Sequence, residues 1–188
     1  MALESSTQLA CQDGLLTGIK YRSSPNQDPR PNSDDICGIV IHNISLPPGE
    51  FGGGWIDDLF LNKLNPDAHP YFEQIADMKV SAHVLIRRDG EIIQYVPFEH
   101  RAWHAGVSCW QGKQRCNDFT IGIELEGSDQ QNFEQQQYLA LVEVIQCLCR
   151  TYPKITTQTV MGHQHIAPER KTDPGPYFDW DYLFSLLR

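Results

Sequence analysis

The segment FTIGIELEG at 119–127 constrains the fold more than any other stretch of the chain. In an extended strand, successive side chains point to opposite faces. Ile121, Ile123 and Leu125 then share one face, and Gly122, Glu124 and Glu126 share the other. Two carboxylates do not enter a dry core together, because burying an unpaired charge is very costly. The polar face therefore looks onto bulk water or a cleft, while the apolar face needs a packed layer. A helix over 133–152 reads as packing: Tyr138, Leu141, Val142, Ile145, Leu148, Cys149 and Tyr152 recur at helical spacing. Asn132 with Gln135 three residues on is a capping signal, and Pro153 ends the segment.

Other strands and helices interleave with these. ICGIVIHN (36–43) is an apolar run of strand length that ends at His42. The loop 45–54, SLPPGEFGGG, is rich in glycine and proline, which permits loop motion without demonstrating it. Residues 80–96, VSAHVLIRRDGEIIQYV, read as two strands joined at Asp89-Gly90, a dipeptide suited to a tight hairpin turn. Short helices are expected at 55–62 and 70–78, and DWDYLFSLL closes the chain as another. QTVMGH (158–163) reads as a short strand running into His163, followed by a proline-bearing loop over 164–177. Residues 21–35, rich in Pro, Ser, Asn and Asp, read as loop. The pattern predicts an α/β fold, a mixed central β-sheet flanked by α-helices. Its 188 residues suit one domain spanning 1–188.

Charge and cysteines narrow the function class. Fifteen basic against 24 acidic residues give a formal charge of −9. This argues against nucleic-acid binding, which needs clustered positive charge, and against docking on anionic membranes. The N-terminal stretch has no basic region followed by an apolar run, so no secretory signal is read there. Six scattered cysteines, two of them inside the long helical pattern, are expected as reduced thiols in a cytoplasm.

Several residues could carry chemistry. His42 and His163 end two strands, and Asp173 lies in a loop ten residues beyond His163. Two imidazoles and a carboxylate are a common ligand set for catalytic zinc, with the fourth position left to water. The same residue types also cap strands or satisfy core hydrogen bonds, and type alone does not choose. Lys171, two residues before Asp173, would sit beside such a site as a cation for a developing oxyanion, or stay a solvated loop lysine. Glu124 would serve as a general base if its face lines a cleft. His165 is a rival ligand, since strand-like alternation places it on the side of His163. His83 and His104 either line the cleft or are structural, and His69 reads as a loop residue. Trp103, Trp110, Phe51 and Trp55 lie in or beside loops, where aromatics meet sugar faces or anchor the chain.

Taken in order, IVIHN, SAHVLIRRDGEIIQYV, RAWHAGVSCWQGKQRCND, FTIGIELEG and GHQHIAPERKTDPGPYFDW resemble the cytoplasmic 1,6-anhydro-N-acetylmuramyl-L-alanine amidases. The wider family includes phage lysozyme-like amidases and peptidoglycan recognition proteins. The resemblance runs from about Tyr21 to Trp180. It implies a mixed sheet with flanking helices, one zinc ion, and hydrolysis of the amide between the lactyl group of anhydro-muramic acid and L-alanine. The substrates implied are small anhydro-muropeptides recovered during cell-wall recycling, and a monomer is expected. Matched residue by residue, His42, His163 and Asp173 would hold zinc, Glu124 would be the acid/base and Lys171 the transition-state cation. Arg115 matches a basic residue that holds the peptide carboxylates of the substrate. The chain departs from the wider pattern at His165, which replaces an acidic residue, and at Glu169, which replaces a glycine. Lys79 stands where relatives often have arginine, and lysine lacks the bidentate fork. Two alternatives stay open: a non-catalytic peptidoglycan-binding module on the same fold, and an exported amidase acting on intact murein.

Overall fold

A computed structural model describes residues 8–188; the first seven, which open the stretch read for export, lie outside the described residues. Its strands are β1 (Cys11–Gln12), β2 (Leu15–Leu16), β3 (Lys20–Tyr21), β4 (Gln27–Pro29), β5 (Gly38–Ile44) and β6 (Val84–Ile86). They continue with β7 (Ile92–Gln94), β8 (His100–Ala102), β9 (Cys109–Trp110), β10 (Lys113–Gln114), β11 (Thr120–Glu126) and β12 (Val160–Gly162). The α-helices are α1 (Trp55–Phe60), α2 (Phe72–Ile75), α3 (Gln135–Thr151), α4 (His163–Ile166) and α5 (Trp180–Leu186). The central sheet has six strands in the order β12-β5-β11-β6-β7-β3. Only the β6–β7 hairpin is antiparallel, so the sheet is mixed as the sequence predicts.

The alternation in β11 decides which face is packed. Ile121, Ile123 and Leu125 join Ile39, Ile41, Val84 and Ile86 in a core under α3, whose Leu141, Val144, Ile145 and Leu148 are fully enclosed. Each such side chain contributes roughly 1.5–3 kcal/mol when removed from water. The opposite face carries Val40, Met161, Gly122 and Glu124, and the cleft described below opens there.

Three local readings are corrected. The segment 21–35 contains β4, paired with β8, and a 3-10 turn at Ser33–Asp35. The Asn26 and Arg30 side chains reach inward to distant carbonyls, including those of Val80 and Phe98, and so order it. Helix α3 starts at Gln135, with its N-cap at Glu134 rather than Asn132. Glu134 N–H donates to Gln137 Oε1 at 3.0 Å, while Arg88 donates to the Asn132 carbonyl and pairs with Glu134, holding the entry extended. The stretch after β12 turns into α4 at once, instead of continuing as a strand into a loop. The Gly-rich segment 45–54 is irregular as expected but pinned at both ends. Ser45 Oγ accepts from Gly49 N–H at 2.8 Å, and Glu126 Oε1 accepts from Gly52 N–H at 2.7 Å.

Candidate active site

Sheet register assembles the site. Glu124 on β11 pairs with His42 on the parallel strand β5, and Ile41 pairs with Gly162 on β12. His42 therefore stands between Glu124 and His163, where the carboxyl ends of three parallel strands meet. The loop beyond α4 returns to β12, fixed by a hydrogen bond from Gln164 N–H to the Asp173 carbonyl at 3.0 Å. Asp173 Oδ2 then lies 2.9 Å from His42 Nδ1 and 3.1 Å from His163 Nδ1, and the two Nδ1 atoms are 3.0 Å apart.

The surrounding hydrogen bonds show what this triangle could hold. His163 Nε2 donates to the Ala105 carbonyl at 3.1 Å, which leaves its Nδ1 as a lone pair. His42 Nε2 lies 3.0 Å from His104 Nδ1, and His104 Nε2 lies 3.5 Å from Thr120 Oγ1, which donates to the Cys116 carbonyl. Run in that direction, the chain leaves His42 Nδ1 as a lone pair too. Burial pushes the His42 imidazolium down to about 4, and burial with its histidine and arginine neighbours holds His104 well below the ordinary range, so both rings are neutral. Two nitrogen lone pairs and a carboxylate oxygen facing one another at this distance repel unless a cation sits among them. Tetrahedral zinc with bonds of about 2.0–2.1 Å sets its ligand atoms about 3.3 Å apart, close to the spacing found. The donor set fits zinc, and it is the one group of metal-binding geometry among the described residues.

The triangle lies in a cleft of about 630 Å³, walled by Glu124, Lys171, Trp103, His104 and the first half of the 45–54 loop. Glu124 Oε2 is buried with no hydrogen-bond partner among the described residues. Burial, reinforced by Asp173 and opposed by Lys171, holds the Glu124 carboxyl well above the usual range. A carboxyl with raised proton affinity beside residues able to hold a metal is suited to passing a proton.

Five of the six residues singled out in the sequence thus share one cleft. Arg115 does not. It has a left-handed backbone (φ 62°), lies with its Nε 3.3 Å from Asp118, and lines an adjoining hollow of about 700 Å³ between 106–109 and 166–170. Arg170 belongs to both walls. His165 turns away on α4: its Nδ1 accepts from Gly162 N–H at 2.9 Å and its ring lies against Trp180. His83 is structural, with Gly122 N–H donating to Nδ1 and Nε2 donating to the His100 carbonyl. Lys79 is exposed, flanked by the cleft residues Met78 and Val80. Of the four loop aromatics named from the sequence only Trp103 reaches the cleft; Phe51 lies under Arg88, and Trp55 and Trp110 pack half-buried against hydrophobic clusters. Gly122 was read only as part of an alternating strand. A Cβ there would lie 2.4 Å from the His104 ring, so glycine makes the room that ring occupies.

Residues 32–176 match the family of N-acetylmuramoyl-L-alanine amidases. The chain belongs to this amidase family. Its relatives include the 1,6-anhydro-N-acetylmuramyl-L-alanine amidase AmpD of Haemophilus influenzae, 56% identical over 94% of this chain and 96% of that protein. AmpD of Escherichia coli is 57% identical over 90% of this chain and 92% of its own length. Among solved amidases, a selenomethionine derivative of AmpD superposes with a TM-score of 0.91 at 55% identity, covering 94% of this chain and 98% of that one. The E. coli amidase AmiD, solved with anhydro-N-acetylmuramic acid-L-Ala-D-γ-Glu-L-Lys, superposes with a TM-score of 0.60 at 29% identity, covering 95% and 65%. The mixed sheet and flanking helices are those of the amidase family.

Proposed function

We propose that the chain is a single zinc-dependent amidase domain that hydrolyses the amide between the lactyl group of 1,6-anhydro-N-acetylmuramic acid and L-alanine, in cell-wall fragments being recycled. The observation that carries this reading is the lone-pair triangle of His42, His163 and Asp173 beside the unpartnered Glu124 carboxyl. Names of full-length relatives more than half identical to the chain supply the anhydro-sugar specificity.

His42, His163 and Asp173 would hold the zinc, which supplies Lewis-acid polarisation of the lactyl carbonyl and acidifies the attacking water. Glu124 accepts the proton of that water and delivers it to the departing L-alanine amine. Its raised affinity for protons makes it the stronger base for the first half of that exchange. Lys171, on the same wall, faces the oxygen that gains negative charge when the carbonyl is attacked. Arg115 in the adjoining hollow offers an exposed guanidinium to a peptide-stem carboxylate. All six cysteines are free thiols, which fits a reducing cytoplasm. One chain carries every group named here, so a monomer suffices.

The test is hydrolysis of an anhydro-muramyl tripeptide before chelation, after chelation and after zinc is added back. Loss and recovery of free tripeptide is the expected result. A folded, zinc-loaded sample that leaves the amide intact would overturn the reading, and binding without turnover would favour a peptidoglycan-binding module.

A further inference from the structure

We infer that Asn117 is a positioning residue for the two metal-ligand histidines, acting through the backbone of His104 and Ala105. The inference rests on the zinc reading above. A single atom, Asn117 Oδ1, accepts from His104 N–H at 3.1 Å and from Ala105 N–H at 2.7 Å. These two consecutive residues are the ones that orient the two imidazoles. The His104 ring receives His42 Nε2 at 3.0 Å, and the Ala105 carbonyl receives His163 Nε2 at 3.1 Å. One side-chain oxygen therefore sets the backbone from which both rings take their direction and tautomer.

Asn117 is itself held. Its carbonyl accepts from Arg30 Nη1 at 2.9 Å, and it sits in the 3-10 turn Cys116–Asp118 that leads into β11. The Arg30 guanidinium, buried and with no carboxylate partner among the described residues, also donates to the carbonyls of Phe98, Asp118 and Thr120. Asn117 is thus tied to the strand that carries Glu124. The next residues are held by their carbonyls alone, Gly106 (φ 56°) accepting from Ser108 Oγ at 3.1 Å and Val107, 86% exposed, from Arg170 Nη2 at 2.8 Å. Arg170 adds a bond to the Ala105 carbonyl at 2.7 Å, but it comes from a half-exposed loop and does not touch the amides.

Removing the oxygen leaves two adjacent N–H groups without their acceptor, and segment 103–106 shifts to find others. Loss of groups that orient metal ligands typically lowers metal affinity about 10–100-fold. Asn117 acts one bond further out, so about tenfold is expected.

The experiment measures the zinc dissociation constant by chelator competition, with melting temperatures of the zinc-loaded and metal-free forms, for wild type, Asn117→Ala and Asn117→Asp. Asn117→Ala should bind zinc about tenfold more weakly and narrow the gap between the two melting temperatures. Asn117→Asp keeps an acceptor oxygen and should stay close to wild type. If the alanine variant does not fold, Asn117→Ser, whose shorter side chain withdraws the oxygen, replaces it with the same expectation. Equal lowering of both melting temperatures at unchanged zinc affinity would reduce Asn117 to an ordinary structural residue and overturn the inference. A wild-type protein that fails to bind zinc would instead overturn the metal reading, and this inference with it.

Discussion

At the scale of single residues, Glu124 shows the conflict between stability and chemistry. A carboxyl oxygen without a partner in a buried position is unfavourable for the fold, and it persists here beside the His42, His163 and Asp173 triangle. Glu124→Ala should therefore lower turnover by about 10²–10⁴-fold with zinc content unchanged, while its metal-free form melts higher than wild type. Steady-state kinetics, metal analysis and calorimetry read these together, and near-wild-type turnover would remove Glu124 from the reaction. Glu124 was legible because strand alternation separates it from three apolar neighbours. His42, His163 and Asp173 were legible as residue types at element ends, and the resemblance assigned their roles. Gly122 and Asn117 were not legible. What matters at Gly122 is an absent atom, and what matters at Asn117 is two amides 12 and 13 residues away.

At the scale of elements, β11, the turn between β6 and β7, α1 and the 45–54 loop are joined by one set of charged hydrogen bonds. Glu126, two residues after Glu124, was read as facing water or a cleft. The structure buries it instead, because Arg87, 39 residues away, donates to it at 3.1 Å and Gly52 N–H caps it. Arg87 also donates to Asp57 on α1, which is bonded in addition to Tyr95 and paired with Arg22. Spacing along the chain gives no hint of such pairings, which is why this network escaped the sequence. Removing one partner from a buried ion pair typically costs about 3–5 kcal/mol, since it strands the other charge. Arg87→Ala should fall near the lower end, about 3 kcal/mol, because both carboxylates keep other partners. Urea unfolding at unchanged m-value checks this, and a loss within about 0.5 kcal/mol, as at an ordinary surface site, would show the network to be dispensable.

At the scale of the whole molecule, the fold carries an acid sensitivity apart from its chemistry. His83 is fully enclosed, and burial together with Arg30, reinforced by His42 and against its bonds to His100 and Gly122, keeps it neutral well below the ordinary histidine range. In the unfolded chain it takes up a proton below about pH 6.5, and in the folded chain it does not. Stability is therefore lost as pH falls below that value, by up to about 1.4 kcal/mol per pH unit from this residue. Denaturant titrations of the metal-free protein between pH 7 and 5 should show the decline, and His83→Gln should lessen its slope, the buried His42 and His104 keeping their own share. An unchanged slope would place the sensitivity elsewhere. The group of His42, His163 and Asp173 has a different dependence on the fold. His42 and Asp173 are 131 residues apart in sequence, and His42 and His163 are 121 apart. They meet only when β12, β5 and β11 are zipped in register, and a slip of one residue would turn His42 toward α3. The chain thus has no half-made site with which to capture an ion early. In a small zinc finger the metal is the seed of the structure; an ion held by these three residues would arrive instead as an inspector, its binding certifying that the sheet is complete.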